Sequence, residues 1–100
     1  MKYAVRFAIE AQRDFAALYD YLLPRAGARV ARDYVATIYG YCLGFETFPE
    51  RGTLRDDIRP GLRVAGFRRK ATIAFLVSGD AVVILRMFHA GRDVDLEEAP

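Results

Sequence analysis

The chain has 100 residues, 53% of them hydrophobic, and a formal net charge of +2 at pH 7. This length closes one hydrophobic core, so we expect a single domain over residues 1–100. The net charge is too small to predict nucleic-acid binding by the chain as a whole. No signal peptide and no apolar run near ~20 residues is present, so we expect a soluble, cytoplasmic protein.

The amino-terminal residues predict a strand followed by a helix. Residues 3–7 alternate large apolar side chains with small or charged ones, as a half-buried strand does. From residue 9 onward apolar residues recur at three- and four-residue steps, the pattern of an amphipathic helix. Pro24 and Gly27 are expected to end this helix.

A second apolar stripe over residues 31–45 predicts a second helix, which Pro49 is expected to end. Gly40 and Gly44 lie four residues apart and therefore on one face of it. We interpret them as the place where the neighbouring helix approaches closely. The two helices are then expected to form an antiparallel hairpin.

The second half of the chain predicts a charged loop and three strands. Residues 50–61 contain the loop, and residues 62–67 suggest a strand. Residues 71–77 and 81–88 are rich in Val, Ile, Leu and Phe and are joined by a tight reversal at residues 78–80.

These elements predict an α+β fold in the order β-α-α-β-β-β. We expect the last three strands to form an antiparallel meander with the first strand added at an edge. The helical hairpin would pack on one face of this small antiparallel sheet.

Charge is distributed unevenly along the chain. Residues 51–70 contain seven basic residues against Asp56 and Asp57, a local net charge of +5, while the tail from Asp93 to Glu98 carries four acids. Arg outnumbers Lys thirteen to two. Arginine suits bidentate contacts to carboxylate or phosphate, although codon bias in a GC-rich genome also explains this ratio. We interpret the two loop aspartates as solvated ion pairs rather than as an acid–base pair.

Catalytic and metal-binding patterns are weak. Cys42 is the only cysteine, which excludes a disulfide framework and a thiolate metal site, and we expect it to be buried. His89 is the only histidine. As a general base it needs an orienting partner, and Asp93 is the nearest candidate; we favour a local hydrogen bond at a strand end. We expect no catalytic residue, no metal and no cofactor.

Arg86 interrupts an apolar strand. Strict alternation places it on the same face as Ile84 and Phe88. Burial of an unpaired charge is unfavourable, so two alternatives remain. It pairs inside the protein, with Glu10, Asp80 or Asp93, or it projects from the sheet to bind an anionic group.

Several segments together resemble the ParE branch of the RelE/ParE toxin superfamily. They are Glu10–Leu22, Phe48–Gly52, Arg55–Arg63, Ile84–His89 and Gly91–Asp93. The resemblance covers nearly the whole chain, and the β-α-α-β-β-β order is the fold that it implies. It implies the toxin component of a type II toxin–antitoxin pair, which functions in plasmid stabilisation among other roles.

The resemblance also implies partners. A cognate ParD-like antitoxin would lay a helix and an extended segment over the toxin in a hetero-oligomer, with DNA contacted only indirectly through the antitoxin. ParE-like toxins are linked to inhibition of DNA gyrase, whereas RelE-like relatives cleave mRNA in the ribosomal A site.

The residues favour the gyrase alternative. RelE-type cleavage uses several Lys and Arg side chains, commonly with a carboxyl-terminal Tyr or His. Lysine is nearly absent here, and no tyrosine follows Tyr41, although Arg63, Arg86 and His89 form a reduced set. We therefore expect a binding protein, with an endoribonuclease or an inactive antitoxin-binding member as alternatives. The expected partner-binding residues are Arg63, Arg68, Arg69, Arg86, His89 and Arg92.

Overall fold

A computed structural model describes residues 2–89 of the chain. It confirms the α+β class and the predicted order of the main elements. The elements are β1 (Ala4–Phe7), α1 (Ile9–Ala26), α2 (Ala28–Leu43), a short 3-10 helix (Gly44–Glu46), β2 (Thr53–Leu54), β3 (Leu62–Phe67), β4 (Ala71–Ser78) and β5 (Ala81–His89).

The five strands form one sheet in the order β1-β5-β4-β3-β2. The antiparallel meander of β3, β4 and β5 and the edge position of β1 agree with the prediction. Two features differ from it. β1 runs parallel to β5, so the sheet is mixed, and β2 pairs with β3 inside the stretch expected to be a loop.

The helix ends also differ in detail from the prediction. Pro24 lies inside the last turn of α1, and the helix ends at Gly27, which has a φ of 89° and donates its N–H to the carbonyl of Leu23. α2 ends at Leu43 rather than near Pro49, because the chain tightens into the 3-10 helix there. No described helix is long and apolar enough to cross a membrane.

The interpretation of Gly40 and Gly44 was wrong. The two helices do pack together, but a Cβ atom built on either glycine meets no atom within 4 Å. Both positions therefore face open space and not the neighbouring helix. Gly40 instead lines an open groove between the two helices.

The main core lies between the helices and the sheet. Phe45 and Phe75 are fully buried within it, with ring centroids 4.5 Å apart. Cys42 is fully buried as predicted, and burial raises the pKa of its thiol to about 12. A smaller cluster around Leu62 and Leu85 covers the other face of the sheet.

Candidate partner-binding surfaces

Asp14 joins α1 to the part of β5 that β1 leaves without a strand partner. β1 ends at Phe7, and the N–H of Ala8 still bonds the carbonyl of Ile84 at 2.8 Å. Beyond that point α1, rather than a strand, lies beside β5. Asp14 Oδ2 accepts the backbone N–H of Met87 at 3.0 Å and Nε of Arg86 at 2.7 Å, while Oδ1 accepts Nη2 of Arg86 at 3.0 Å.

A β-bulge explains why Arg86 does not share a face with Ile84, although the sequence predicted that it would. Ala74 pairs with Arg86, but the next residue, Phe75, pairs with Ile84, so Leu85 is an extra residue in β5. The extra residue reverses the alternation of side chains beyond it. Arg86 thus shares a face with Phe88, as predicted, but lies on the other face from Ile84.

The internal ion pair foreseen for Arg86 is present with a different partner. Asp14 lies one helical turn beyond Glu10, one of the expected partners, and Asp80 is not the partner either. The side chains of Arg86 and Asp14 are 25% and 17% exposed. The half-buried arginine is therefore neutralised within the fold.

His89 bonds a residue distant in sequence. Its Nε2 lies 3.2 Å from the hydroxyl of Tyr34 on α2, and the two rings meet edge to face at 5.7 Å. Tyr21 of α1 lies nearby, with its ring centroid 6.2 Å from that of His89. The imidazole is half-buried between the helical pair and the end of β5. The expected hydrogen bond exists, but it is not local, and Asp93 lies outside the described residues.

Arg63 is separated from both of these residues. Its Nε donates to the carbonyl of Arg51 at 3.2 Å, at the side of the sheet next to β2. Arg63 pairs with Phe75, which belongs to the main core, whereas Arg86 pairs with Ala74 of the smaller cluster. Paired residues share a face, so the two arginine positions point to opposite sides of the sheet. The structure does not bring Arg63, Arg86 and His89 into one site.

Arg68 and Arg69 occupy the turn between β3 and β4. Both side chains are exposed, and both residues have positive φ angles of 50° and 57°. The N–H of Lys70 donates to the carbonyl of Phe67 at 2.7 Å and closes the turn. Phe67, Ala71 and His89 are neighbours across three strands, so this turn lies at the same end of the sheet as His89.

The remaining charged candidates are of two kinds. Some form a solvated ion pair in the loop before β3, and the others lie outside the described residues. Arg55 and Asp57 form a solvent-accessible bidentate pair with both distances at 2.9 Å, as predicted, whereas Asp56 accepts the backbone N–H of Gly61 at 2.8 Å. Hydrogen bonding to Arg55 lowers the pKa of Asp57. Arg92 and the acidic tail lie outside the described residues.

An apolar groove runs between α1 and α2. Its volume is about 510 Å³. Tyr39 and Leu43 on its wall are 41% and 43% exposed, and Asp20 and Arg32 supply opposite charges to its lining. The full lining is Phe15, Ala16, Tyr19, Asp20, Arg32, Val35, Ala36, Tyr39, Gly40 and Leu43.

Sequence reasoning missed Asp14, Tyr34 and this groove. For Asp14 a signal existed: it lies three residues after Ala11 and four before Leu18, both buried, so it occupies the inward face of α1. A carboxylate at such a position needs a partner. No comparable signal identified Tyr34, because its partner is 55 residues away.

Comparison with known proteins agrees with this architecture. Residues 5–94 match the family described as the ParE toxin of the type II toxin–antitoxin system parDE. No curated protein matches the chain significantly.

Two solved structures have a similar fold. One belongs to the chromosomal ParDE toxin–antitoxin system of P. aeruginosa, with a TM-score of 0.77, 23% identity, and coverage of 89% of this chain and 97% of that one. The other belongs to the toxin–antitoxin complex RelBE2 of Mycobacterium tuberculosis, with a TM-score of 0.65, 26% identity, and coverage of 92% and 95%. Because the family match extends over most of its length, the chain belongs to the ParE toxin family of type II toxin–antitoxin systems.

Proposed function

We propose that this toxin acts in the cytoplasm by binding and inhibiting DNA gyrase, and that a ParD-like antitoxin neutralises it. We favour binding over RNA cleavage because Arg63, Arg86 and His89 lie apart from one another in the fold. Each is engaged by a different part of the fold. RNA cleavage needs a proton-transfer group and cationic groups converging on one phosphate.

Outward-facing cations are the better candidates for contact with the target. Arg68 and Arg69 are exposed, whereas Arg86 is neutralised by Asp14 and is better assigned to stability. Arg63 and His89 are half-buried and hold their neighbours in place. We retain Arg92 as a candidate on sequence grounds alone.

Two parallel reactions test the target. Purified toxin is added to a gyrase supercoiling reaction and, separately, to a translation extract. We expect loss of supercoiling with intact mRNA. Cleaved mRNA with normal supercoiling would overturn the proposal.

The groove between α1 and α2 is the proposed seat of the antitoxin. An amphipathic helix presents apolar residues at three- and four-residue steps, which suits an apolar groove between two helices with a few charges in its lining. The exposed rings and aliphatic side chains of this groove would be shielded from water by such a helix. Both solved relatives come from toxin–antitoxin systems, which supports a partner of this kind.

A bulky residue in the groove tests this assignment. Ala36→Trp fills the exposed groove wall, and Ala17→Trp adds the same ring to an exposed position of α1 outside the lining. We expect the first variant to bind the co-expressed antitoxin at least ~100-fold more weakly and to escape neutralisation in cells. The second should be neutralised normally. Equal behaviour of the two variants would remove the groove from the proposal.

Ribosome-dependent RNA cleavage remains the second candidate, because one similar structure is the RelBE2 complex and because a tyrosine and a histidine are in contact. If cleavage is the activity, intoxicated cells contain new mRNA 3′ ends, and His89→Ala abolishes them while supercoiling is unaffected. An inactive family member would leave growth unchanged when expressed without antitoxin.

A further inference from the structure

The turn between β3 and β4, residues 67–70 and hereafter the basic turn, has a backbone conformation that its residues disfavour. A four-residue β-turn with positive φ at both central positions is the type I′ turn, in which Asn-Gly is preferred. Here Arg68 and Arg69 occupy those positions, with φ angles of 50° and 57°. A long side chain gains nothing locally from this backbone region and is strained by it. The conformation of the turn therefore does not explain why arginine occupies these two positions. An explanation has to come from what the two side chains contact.

The cations of the basic turn have no acidic counterpart in the described part of the chain. The ion pairs found within residues 2–89 involve Lys2, Arg32, Arg55 and Arg86. Arg68 and Arg69 are exposed, and Lys70 follows them directly. Three consecutive positive charges are thus presented at one end of the sheet.

Aromatic rings accompany these cations. The guanidinium carbon of Arg68 lies 4.9 Å from the ring centroid of Phe67. Phe67 stacks on Tyr41 with centroids 4.5 Å apart and 28° between the planes. Arg51 lies over the other ring, 5.4 Å from the centroid of Tyr41. A cation, two stacked rings and a second cation form one continuous series.

Two further contacts extend this arrangement. The Nζ of Lys70 lies 5.0 Å from the ring centroid of Tyr34 on α2. Further from the turn, Arg51 also lies 5.9 Å from the ring centroid of Phe48, which is 66% exposed. The cations of the basic turn therefore contact two half-buried rings, those of Phe67 and Tyr34.

The combination of cations and aromatic rings at the basic turn indicates which class of ligand it would bind. Guanidinium groups bind phosphate oxygens, and aromatic faces stack on unpaired bases, so together they suit a single-stranded nucleic acid. An acidic peptide would use the cations but leave the partly accessible rings of Phe67 and Tyr34 without a role. We propose that the basic turn binds the phosphodiester backbone of single-stranded nucleic acid directly. This differs from the expectation that the chain reaches DNA only through its antitoxin.

The proposal deepens the proposed function. It rests on that function only for the place where the toxin would encounter nucleic acid, namely at gyrase. Its test contains no gyrase. Binding of the full chain to labelled oligo(dT) and oligo(rU) is followed by fluorescence anisotropy across a range of salt concentrations. The variant is R68N/R69G, which removes two charges and places the residues that a type I′ turn prefers.

The expected results are specific. R68N/R69G should bind oligo(dT) at least ~10-fold more weakly at low salt, and its slope of log K against log salt should fall by about 1.4, since each lost phosphate contact on a single strand accounts for ~0.7. Its Tm should rise by roughly 5 °C, because the strain at the turn is released. The control R13Q/R29Q removes two charges from exposed helical positions and should leave the slope unchanged.

Three outcomes would overturn the proposal: an unchanged slope in R68N/R69G, an equal loss in R13Q/R29Q, or tighter binding of the wild type to polyglutamate than to oligo(dT). Gyrase inhibition by R68N/R69G is measured in parallel. If oligonucleotide binding is lost while inhibition persists, the nucleic-acid site stands and the gyrase contact lies elsewhere.

Discussion

The carboxylate of Asp14 and the guanidinium of Arg86 meet through two hydrogen bonds of 2.7 and 3.0 Å although the residues are 72 positions apart. The same carboxylate accepts the backbone N–H of Met87, next to the bulge in β5. One side chain thus neutralises a half-buried charge and satisfies a backbone donor that lies outside the β1–β5 pairing. It also fixes where α1 lies along the last strand.

We expect Asp14→Asn to lower the free energy of unfolding by roughly 2–3 kcal/mol, because it leaves the guanidinium without its counter-charge in a half-buried place. Urea denaturation measures this change. Asp33→Asn is the matched control: its contact with Arg32 is 4.0 Å long and largely exposed, so the expected change is within about 0.5 kcal/mol. Similar effects of the two variants would contradict the role of Asp14.

Gly52→Ala should be strongly destabilising, by about 2 kcal/mol or more. Gly52 has a φ of 74°, and a Cβ there would lie 2.2 Å from the carbonyl oxygen of Val64, in the strand that pairs with β2. Gly66→Ala provides the comparison, since Gly66 is exposed in β3 with no atom within 4 Å of a Cβ. Thermal unfolding should show a lower Tm for the first variant and little change for the second.

Gly40→Ala should stabilise the protein by up to ~1 kcal/mol. The position is inside α2, a Cβ meets nothing within 4 Å, and alanine favours the helix over glycine by about this amount. Thermal or urea unfolding of the isolated toxin measures the gain. A loss of stability would restore the interpretation of Gly40 as a point of close helix contact.

The thiol of Cys42 should make stability depend on pH in alkaline solution. Its pKa is raised from 9.0 to about 12 by burial, so between these values the unfolded chain loses a proton that the folded chain retains. The free energy of unfolding therefore falls as pH rises, by up to about 1.4 kcal/mol per pH unit from this group. Urea denaturation at several pH values should show this slope in the wild type and a shallower one in Cys42→Ala. A thiol reagent should modify Cys42 only after unfolding.

Much of the fold was predictable because it depends on local periodicity. The Val-, Ile-, Leu- and Phe-rich run over residues 81–88 and the three- and four-residue stripe of α1 identify a strand and a helix without reference to other segments. The Gly79 turn between β4 and β5 was visible for the same reason: glycine takes a φ of 60° there without strain.

The site was less predictable because its contacts are long-range. The bulge at Leu85 inserts a single residue, and periodicity alone cannot show on which strand or at which rung such an insertion occurs. The partners of Arg86 and His89 lie on α1 and α2, and their identity depends on how the helices cross the sheet. The parallel direction of β1 was unpredictable for the same reason, since β1 pairs with β5, the last strand along the chain.

That pairing of the first strand with the last has a consequence during synthesis. Residues 4–7 have no ladder partner until residues 81–84 have emerged from the ribosome. Contacts of such long sequence separation form late, because the intervening loop must close before any of them is made. A partly translated molecule thus cannot complete its sheet, and the folded form of the protein arises only after most of the chain has been made.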